Sequence, residues 1–469
     1  MRRLLAACLP LVMTACTVGP DYQRPTVAGE QAAWTTPAQG ADIDLMPWLK
    51  LGDPVLTDLI TRALAANPDI AEAEGRLREA RAALGVTRAN GAPQATLSGS
   101  AQQNRTSLNG EFPVGDLPGY RRNFALYDAG FDASWEIDLW GGQRRAVQSA
   151  RRQIEAAHAR ASDVRLQTVA EVVRAYAQLR GSQALLIATR ADAAAQADTA
   201  QITRQRLQAG ESARGDETRA REAARTAHAP IAGLEADAHA AVFTLALLTG
   251  RPPEALSSLI DTPAALPILP ANVAPGTRAD MLRRRPDVRA AEADLAAATA
   301  NVGVATADLY PRLSLAGGID PQSRALGNLA TGNSLGFAVG PRFTWALFDG
   351  GRIRAQIRAA DARTDQAAAR YTKAVLAALA DSETAINRYA AWQTTAAERD
   401  AALAASARSL DLAHQRFAAG EDDRLALLQA QSTFATVQRA AIQAHESAFE
   451  AYAALVKALG GGWQEDAPR

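Results

Sequence analysis

The chain has 469 residues, 50 basic and 50 acidic side chains, and only 5 % aromatic residues. That length admits two or three domains, and the balanced charge excludes a polyanion such as nucleic acid as the expected partner. Scarce large apolar side chains argue against a deep globular core and suit walls one helix thick.

Residues 1–15 read as a signal peptide, outside the fold. Arg2 and Arg3 are basic, and Leu4 to Ala15 is an apolar run of 12 residues, shorter than the about 20 that span a bilayer as a helix. The run ends in Met13-Thr14-Ala15-Cys16, which resembles a bacterial lipobox with Met13 in place of the usual leucine. Cys16 is then the lipidation site; a plain secretory signal with an incidental cysteine is the alternative. The second cysteine, Cys8, lies inside the signal, so the mature chain has no partner for an internal disulfide. Acyl chains on Cys16 would anchor it at ~0.8 kcal/mol per buried CH₂. No later run of 18 apolar residues occurs, so no transmembrane helix is expected.

Residues 16–50 form a proline-punctuated, extended segment. The rest is written twice. Asn67-Pro68-Asp69-Ile70 corresponds to Arg285-Pro286-Asp287-Val288 at an offset of 218, as do Gly85 and Gly303, Pro93 and Pro311, Leu97 and Leu315. Farther on the offset is 210: Trp135 and Trp345, Arg206 and Arg416, Gly210 and Gly420, Gly250 and Gly460. The expected domains are a first repeat, 51–250, a linker with six prolines, 251–276, a second repeat, 277–460, and a tail, 461–469.

Each repeat opens with a helix, about Pro68 to Asn90 and Pro286 to Leu309, started by proline and aspartate in the first turn. Two strand-like segments follow. From Ala129 the odd positions are Ala129, Phe131, Ala133, Trp135, Ile137 and Leu139, between Gly130, Asp132, Ser134, Glu136 and Asp138. In the second copy Leu335, Phe337, Val339, Phe343, Trp345 and Leu347 alternate with small or polar residues. Pro93 to Gln102 and Pro311 to Ile319 alternate more weakly. Apolar-out, polar-in segments of ~10 residues fit a membrane β-barrel; a half-buried soluble strand gives the same alternation.

Gln143 to Ala209 and Arg352 to Ala419 then contain no proline and a single glycine, Gly181. As helices they would reach roughly 100 Å. Their apolar stripes are narrow: Leu166, Val169, Val173 and Tyr176 in one, Val375, Leu379, Ser382, Ile386 and Tyr389 in the other. Such helices pack side by side along their length, which by itself also fits a structural coiled coil. Four strands cannot close a barrel, which takes about eight, and lipid forbids open edges. Several chains must therefore pool their strands if these enter a membrane. Pro230 lies inside the first return helix where the second copy has Ala440, and a kink is predicted there.

Four motifs in order resemble the outer membrane factor family of Gram-negative bacteria, TolC-like channels, and its NodT- and OprM-like lipoprotein branch serving RND efflux pumps. They are Cys16 to Tyr22 with Arg24-Pro25, Ser134 to Gly141, Arg284 to Tyr310-Pro311, and Ala458 to Trp463. The resemblance implies a mixed α and membrane-β fold. A homotrimer would form one 12-stranded outer membrane β-barrel, four strands per chain, continued by a long α-helical periplasmic barrel. A belt would be built partly from the linker and terminal segments. The implied activity is passive: an exit duct for drugs and small molecules delivered by an inner membrane RND-type pump through a periplasmic adaptor. The implied place is the outer membrane, lipid-anchored (palmitate on Cys16) and extending into the periplasm, with no cofactor. A type I protein-secretion channel and a lipid-anchored periplasmic coiled-coil scaffold are the alternatives.

The long helices end at Arg206 to Gly210 and Arg416 to Gly420. Glycine there is a C-cap signal, and the resemblance makes Arg206, Gly210, Arg416 and Gly420 adaptor-contact tips as well. After the second tip the family's gate segment would place Leu425 at the constriction, with Gln429 where the family carries an acid. Asp422 and Asp423 offer acidic rings instead, or simply complement the dipole of the next helix; Asp216 and Glu217 carry the same two readings. Gly332-Asn333-Ser334-Leu335-Gly336 fits a nucleophile-elbow spacing, but a strand pattern follows where that elbow needs a helix. The five histidines show no ligand spacing. No enzyme is expected.

Overall fold

The computed structural model describes residues 17–35, 41–42, 47–107, 121–270 and 273–461. Cys16, the signal segment and most of the tail, with Trp463, lie outside the described residues. In chain order the elements are β1 (Ala41–Asp42), α1 (Pro47–Lys50), α2 (Pro54–Ala66), α3 (Pro68–Asn90), β2 (Gln94–Arg105), β3 (Asn123–Ile137), α4 (Gly142–Gln208), α5 (Arg214–His228) and α6 (Ile231–Leu248). There follow β4 (Val273–Ala274), α7 (Arg278–Arg284), α8 (Pro286–Ala307), β5 (Arg312–Ser323), β6 (Leu335–Thr344), α9 (Arg352–Ala418) and α10 (Arg424–Ala458). The linker is not wholly extended: Pro253–Leu259 winds into a 3₁₀ helix, as proline in its first turn permits. The last strand stops at Thr344 rather than at Leu347.

The chain divides into two units. The first contains 77–156 and 291–370 with the N-terminal residues up to 25. Its centre is a four-stranded antiparallel sheet in the order β2-β3-β5-β6. Each repeat supplies one hairpin, and β3 pairs with β5 across the repeats. Each hairpin is tied to the helix before it in the same way. Trp135 Nε1 donates to the Gly91 carbonyl at 3.1 Å, and Trp345 Nε1 to the Leu309 carbonyl at 3.0 Å. Aspartates start the long helices: Asp138 accepts from the Gln143 and Arg144 amides, Asp349 from those of Gly351 and Ile353. These side chains satisfy helix donors that have no intrahelical partner.

The second unit contains 26–76, 157–290 and 371–469. The predicted stripes are its core: Leu166, Val169, Val173 and Tyr176 on α4 and Val375, Leu379, Ser382, Ile386 and Tyr389 on α9 are all buried. Leu56 and Leu59 of α2, Leu245 of α6, Met281 of α7 and Phe449 of α10 are buried with them. The Pro-Asp motifs explain themselves here. Asn67 caps α3 and its Nδ2 donates to the Leu248 carbonyl at 3.0 Å, at the end of α6. Arg285, at the equivalent place, donates to the Ala458 carbonyl at 2.9 Å, at the end of α10. One residue in each repeat thus ties the start of a helix to the end of the return helix.

Arg285 also meets Asp287 at 2.7 Å and Asp381 at 2.9 Å, with only 12 % of its side chain exposed. The N-terminal segment and the linker join in this unit: Ala41 pairs with Val273, Trp34 Nε1 donates to the Gly276 carbonyl at 2.7 Å, and Thr35 and Arg278 both bond Glu383. The helix after the first tip is interrupted at Ala229 and Pro230, where the proline was expected to kink it. By length and composition, Arg214–Leu248 is apolar enough to cross a bilayer, contrary to the expectation of no such segment. α6 nevertheless carries Glu235, ion-paired with Arg190 at 2.6 Å, and buries Ala238, Ala241, Val242, Leu245 and Ala246. One face of it packs into this unit, while Phe243 and Leu247 are exposed on another.

One carboxyl in the helical unit is poised near neutrality. Glu446 of α10 sits against Gly181 of α4, where a Cβ would overlap it. Burial, then the charges of Glu450 and Asp237, push its pKa up to about 7. A raised carboxyl pKa contributes stability that is full below the ordinary value of 4.5 and is lost as pH rises through 7. The thermal midpoint of the wild type should therefore fall between pH 5 and 8, and Glu446→Gln should flatten that fall. Arg285→Ala removes two half-exposed ion pairs and one of the two donors to the Ala458 carbonyl, the other being the Ser382 hydroxyl at 3.0 Å, and should cost about 1 kcal/mol of stability, read as a lower thermal midpoint.

Candidate functional site

The sheet of the first unit has two unlike faces because the side-chain period of a strand is two. Register aligns Leu97, Phe131, Ile319 and Phe337 in one row across all four strands. Trp135 beside Leu315, and Leu313 beside Phe343, extend the same face. These are not core residues: Leu97 is 79 % and Phe337 77 % exposed. The neighbouring row on the other face is Thr96, Asp132, Gly318 and Ala338. Ser100 bonded to Asp128, with Glu136 and Arg342, continues that polar face. Gly318 leaves the space that the Asp132 carboxylate occupies. Among the described residues, the outer strands β2 and β6 each have one backbone edge that no other strand pairs.

Where β3 gives way to α4, the N-terminal segment is docked. Thr17 lies against Gly141, the Val18 amide donates to the Trp140 carbonyl at 3.1 Å, and Gly19 (φ +88°) crosses Gly303 so closely that a Cβ would overlap its backbone. Arg145, 4 % exposed, donates to the Val18 and Gly19 carbonyls, each at 3.1 Å, and meets Asp21 at 2.8 Å. Trp140 stacks on Tyr310 with ring centres 4.7 Å apart and donates to the Pro311 carbonyl. The sequence motif around Val18-Gly19 drew attention to this segment without revealing its receptor. Arg145 itself has no local signal, being one arginine among many on α4.

The tips are the same turn made twice. Gly210 (φ +79°) ends α4, with the Glu211 amide donating to the Arg206 carbonyl at 2.8 Å. Gly420 (φ +76°) ends α9, with the Glu421 amide donating to the Arg416 carbonyl at 2.9 Å. That closure needs a left-handed residue, which glycine supplies. Arg206 and Arg416 are exposed. Asp423 caps α10 by accepting from the Ala426 amide at 2.9 Å, and Asp422 meets Arg416 at 2.9 Å. Leu425, in the first turn of α10, is 69 % exposed, and Gln429 is exposed one turn later. Asp216 and Glu217 stand in the first turn of α5, bonded to Arg219 and Arg221 of the same helix. One cavity of about 1120 Å³ is lined by Asp216, Arg206, Gly210, Asp423, Leu425 and Gln429 among others. The structure thus collects most of the sequence-selected tip residues around one space.

A sheet with an apolar exposed face and open edges, joined by sequence to paired helical hairpins with duplicated tips, defines a channel-type membrane subunit. The sequence pattern of the family described as outer membrane efflux protein matches residues 59–251 and 278–461. The chain belongs to that family. It is 31 % identical to outer membrane protein OprJ of Pseudomonas aeruginosa, over 98 % of this chain and 96 % of that one. It is 29 % identical to the toluene efflux pump outer membrane protein TtgI of Pseudomonas putida, over 97 % of each. The solved structure of the outer-membrane channel OprN superposes with a TM-score of 0.84 at 34 % identity, covering 96 % of this chain and all of that one.

Capping predicts a measurable cost at the second tip. Asp423→Ala removes the acceptor for the Ala426 amide and should cost about 1 kcal/mol, seen as faster amide exchange confined to the first turn of α10.

Proposed function

We propose that three copies of this chain form an outer membrane conduit, the passive exit duct of a tripartite efflux system for drugs or other small molecules. The observation that carries this reading is the exposed apolar row Leu97, Phe131, Ile319, Phe337 on a sheet whose two edges are open. The four described strands of that sheet fall short of the about eight of the smallest membrane barrels, and backbone edges in lipid must be paired. Three copies supply twelve strands, with β2 of one pairing β6 of the next. The polar row with Asp128, Asp132 and Glu136 then faces water inside. Exposed Ile187, Phe243, Leu247 and Leu376 on the helices give neighbouring copies apolar surface to share. An inner membrane RND-type pump and a periplasmic adaptor supply cargo and energy, and the adaptor meets the tips at Arg206, Gly210, Arg416 and Gly420.

The same proposal makes the chain non-enzymatic and gives it no cofactor beyond lipid on Cys16. Support for the lipid is positional: Thr17 is docked at the foot of the sheet, so acyl chains on the preceding residue would enter the leaflet nearest the helices. Leu425 serves as the constricting residue, with Gln429 below it and Asp422, Asp423, Asp216 and Glu217 as the charged groups nearby. Conductance of the purified protein in planar bilayers tests the reading. The wild type should conduct as a trimer, and Leu425→Ala should raise conductance several-fold. A variant that conducts no better than wild type removes Leu425 from the gate, and a wild type that never conducts removes the conduit.

A further inference from the structure

Both long helices begin with cations where the backbone favours anions. Gly142–Arg152 of α4 holds four arginines, Arg144, Arg145, Arg151 and Arg152, and no acid. Arg352–Ala360 of α9 holds three, Arg352, Arg354 and Arg358, and again no acid. The positive end of a helix dipole disfavours cations in its first turn, so sequence and dipole disagree in both repeats. Through the offset of 210, Arg144 corresponds to Arg354 and Gln148 to Arg358. A basic face at the foot of the sheet is thus written twice.

On α4 that face is Arg144, Gln148 and Arg151, spaced by four and then three. With Gln143 and Arg152 they line a cleft of about 470 Å³. Arg144 leans on Asp138 at 3.3 Å and Arg152 on Glu155 at 2.7 Å. Among the described residues, Arg151, Arg354 and Arg358 are exposed and make no side-chain hydrogen bond or ion pair.

Placement says what could lie against these cations. α4 continues from β3, an inner strand of the sheet, and helices of its own chain flank it. Gln143 donates to the Thr87 carbonyl of α3, and Gly142 meets Ala307 of α8. Copies joined through β2 and β6 therefore leave this face uncovered. The cleft opens on the side that carries the N-terminal segment, because one Arg145 nitrogen reaches both Gln148 at 2.9 Å and Asp21 at 2.8 Å. Height agrees with side. The apolar face of the sheet ends in Trp135, and Trp140 stacks on Tyr310 at the start of α4; such rings mark the boundary between hydrocarbon and headgroups. Arg144 to Arg151 then covers about 10 Å of helix, close to the roughly 5–8 Å of headgroup layer on either side of a bilayer.

We propose that this face of α4, with Arg354 and Arg358 of α9, seats the phosphate headgroups of anionic lipids in the leaflet nearest the helices. The proposal rests on the conduit reading, which puts the sheet in a bilayer. Guanidinium groups hold phosphate through paired, charge-assisted hydrogen bonds, and clustered basic side chains at a membrane surface favour anionic lipid. The phosphate also supplies the anion that both helix starts lack.

Full-length protein in a non-ionic detergent, titrated with phosphatidylglycerol, phosphatidylcholine or inorganic phosphate and read by native mass spectrometry, tests this. The wild type should bind phosphatidylglycerol at least tenfold more tightly than phosphatidylcholine, and inorganic phosphate at equal concentration should not displace it. The triple variant Arg151→Gln, Arg354→Gln, Arg358→Gln removes no contact within the fold and should lose at least four-fifths of that preference. Lysine at the same three positions should keep a preference, and so should Arg160→Gln, nine residues farther along α4. Equal binding of the two lipids by the wild type overturns the surface, as does a triple glutamine variant with the preference intact. Displacement by inorganic phosphate overturns the assignment to lipid. Conductance of the same preparation separates the two readings: a protein that conducts without preferring anionic lipid loses the headgroup surface alone.

Discussion

Unpaired backbone is the constraint on which everything else in this chain depends. Among the described residues, β2 and β6 each present a row of amides and carbonyls on an edge that no other strand pairs, on a sheet whose one face is apolar and exposed. In water those groups would be hydrated and the apolar face would aggregate. In lipid the apolar face is at home and the edges are intolerable. The proposed pairing edge to edge between copies would satisfy both faces and both edges. The helices inherit this arrangement, because each hairpin is pinned by a tryptophan to the helix that precedes it.

Duplication has preserved jobs more faithfully than residues. Trp135 and Trp345 do the same work with the same side chain. Asn67 and Arg285 do the same work with different ones, one as a neutral cap and the other as a nearly buried cation held by two carboxylates. The cation reaches two carboxylates and a carbonyl at once, whereas the amide caps α3 and reaches a single carbonyl. The first repeat has an interrupted return helix and the second an unbroken one. Two halves with one ancestry thus differ in local detail while keeping the same plan.

Much of this was legible in the sequence, and the reasons are physical. The long helices announce themselves by the absence of proline and glycine, and their stripes at Val169–Val173–Tyr176 and Val375–Leu379–Ser382 are the buried ones. Alternation at Phe131, Ala133 and Trp135 reports strand and face together, since a period of two admits no other arrangement. Glycine at 210 and 420 marks the turns because only glycine takes that backbone angle cheaply. What was not legible depends on contacts distant in sequence. Arg145 reaching Val18, Glu383 joining Thr35 to Arg278, and Glu446 resting on Gly181 leave no periodic trace. The bond from the Ala426 amide to Asp423 depends on the turn between them, and the 3₁₀ turn in the linker was hidden by its prolines.

The crossing of Gly19 over Gly303, locked by Arg145, has a consequence for how the chain begins. Thr17 is held against Gly141 and the Val18 amide on the Trp140 carbonyl, so the first described residues take their position from the junction of β3 and α4. A side chain at Gly19 or Gly303 would not merely crowd that crossing but dislodge it, since each glycine leaves room only for the crossing backbone or for Arg145. The beginning of the described chain and the foot of the sheet therefore stand or fall as one piece.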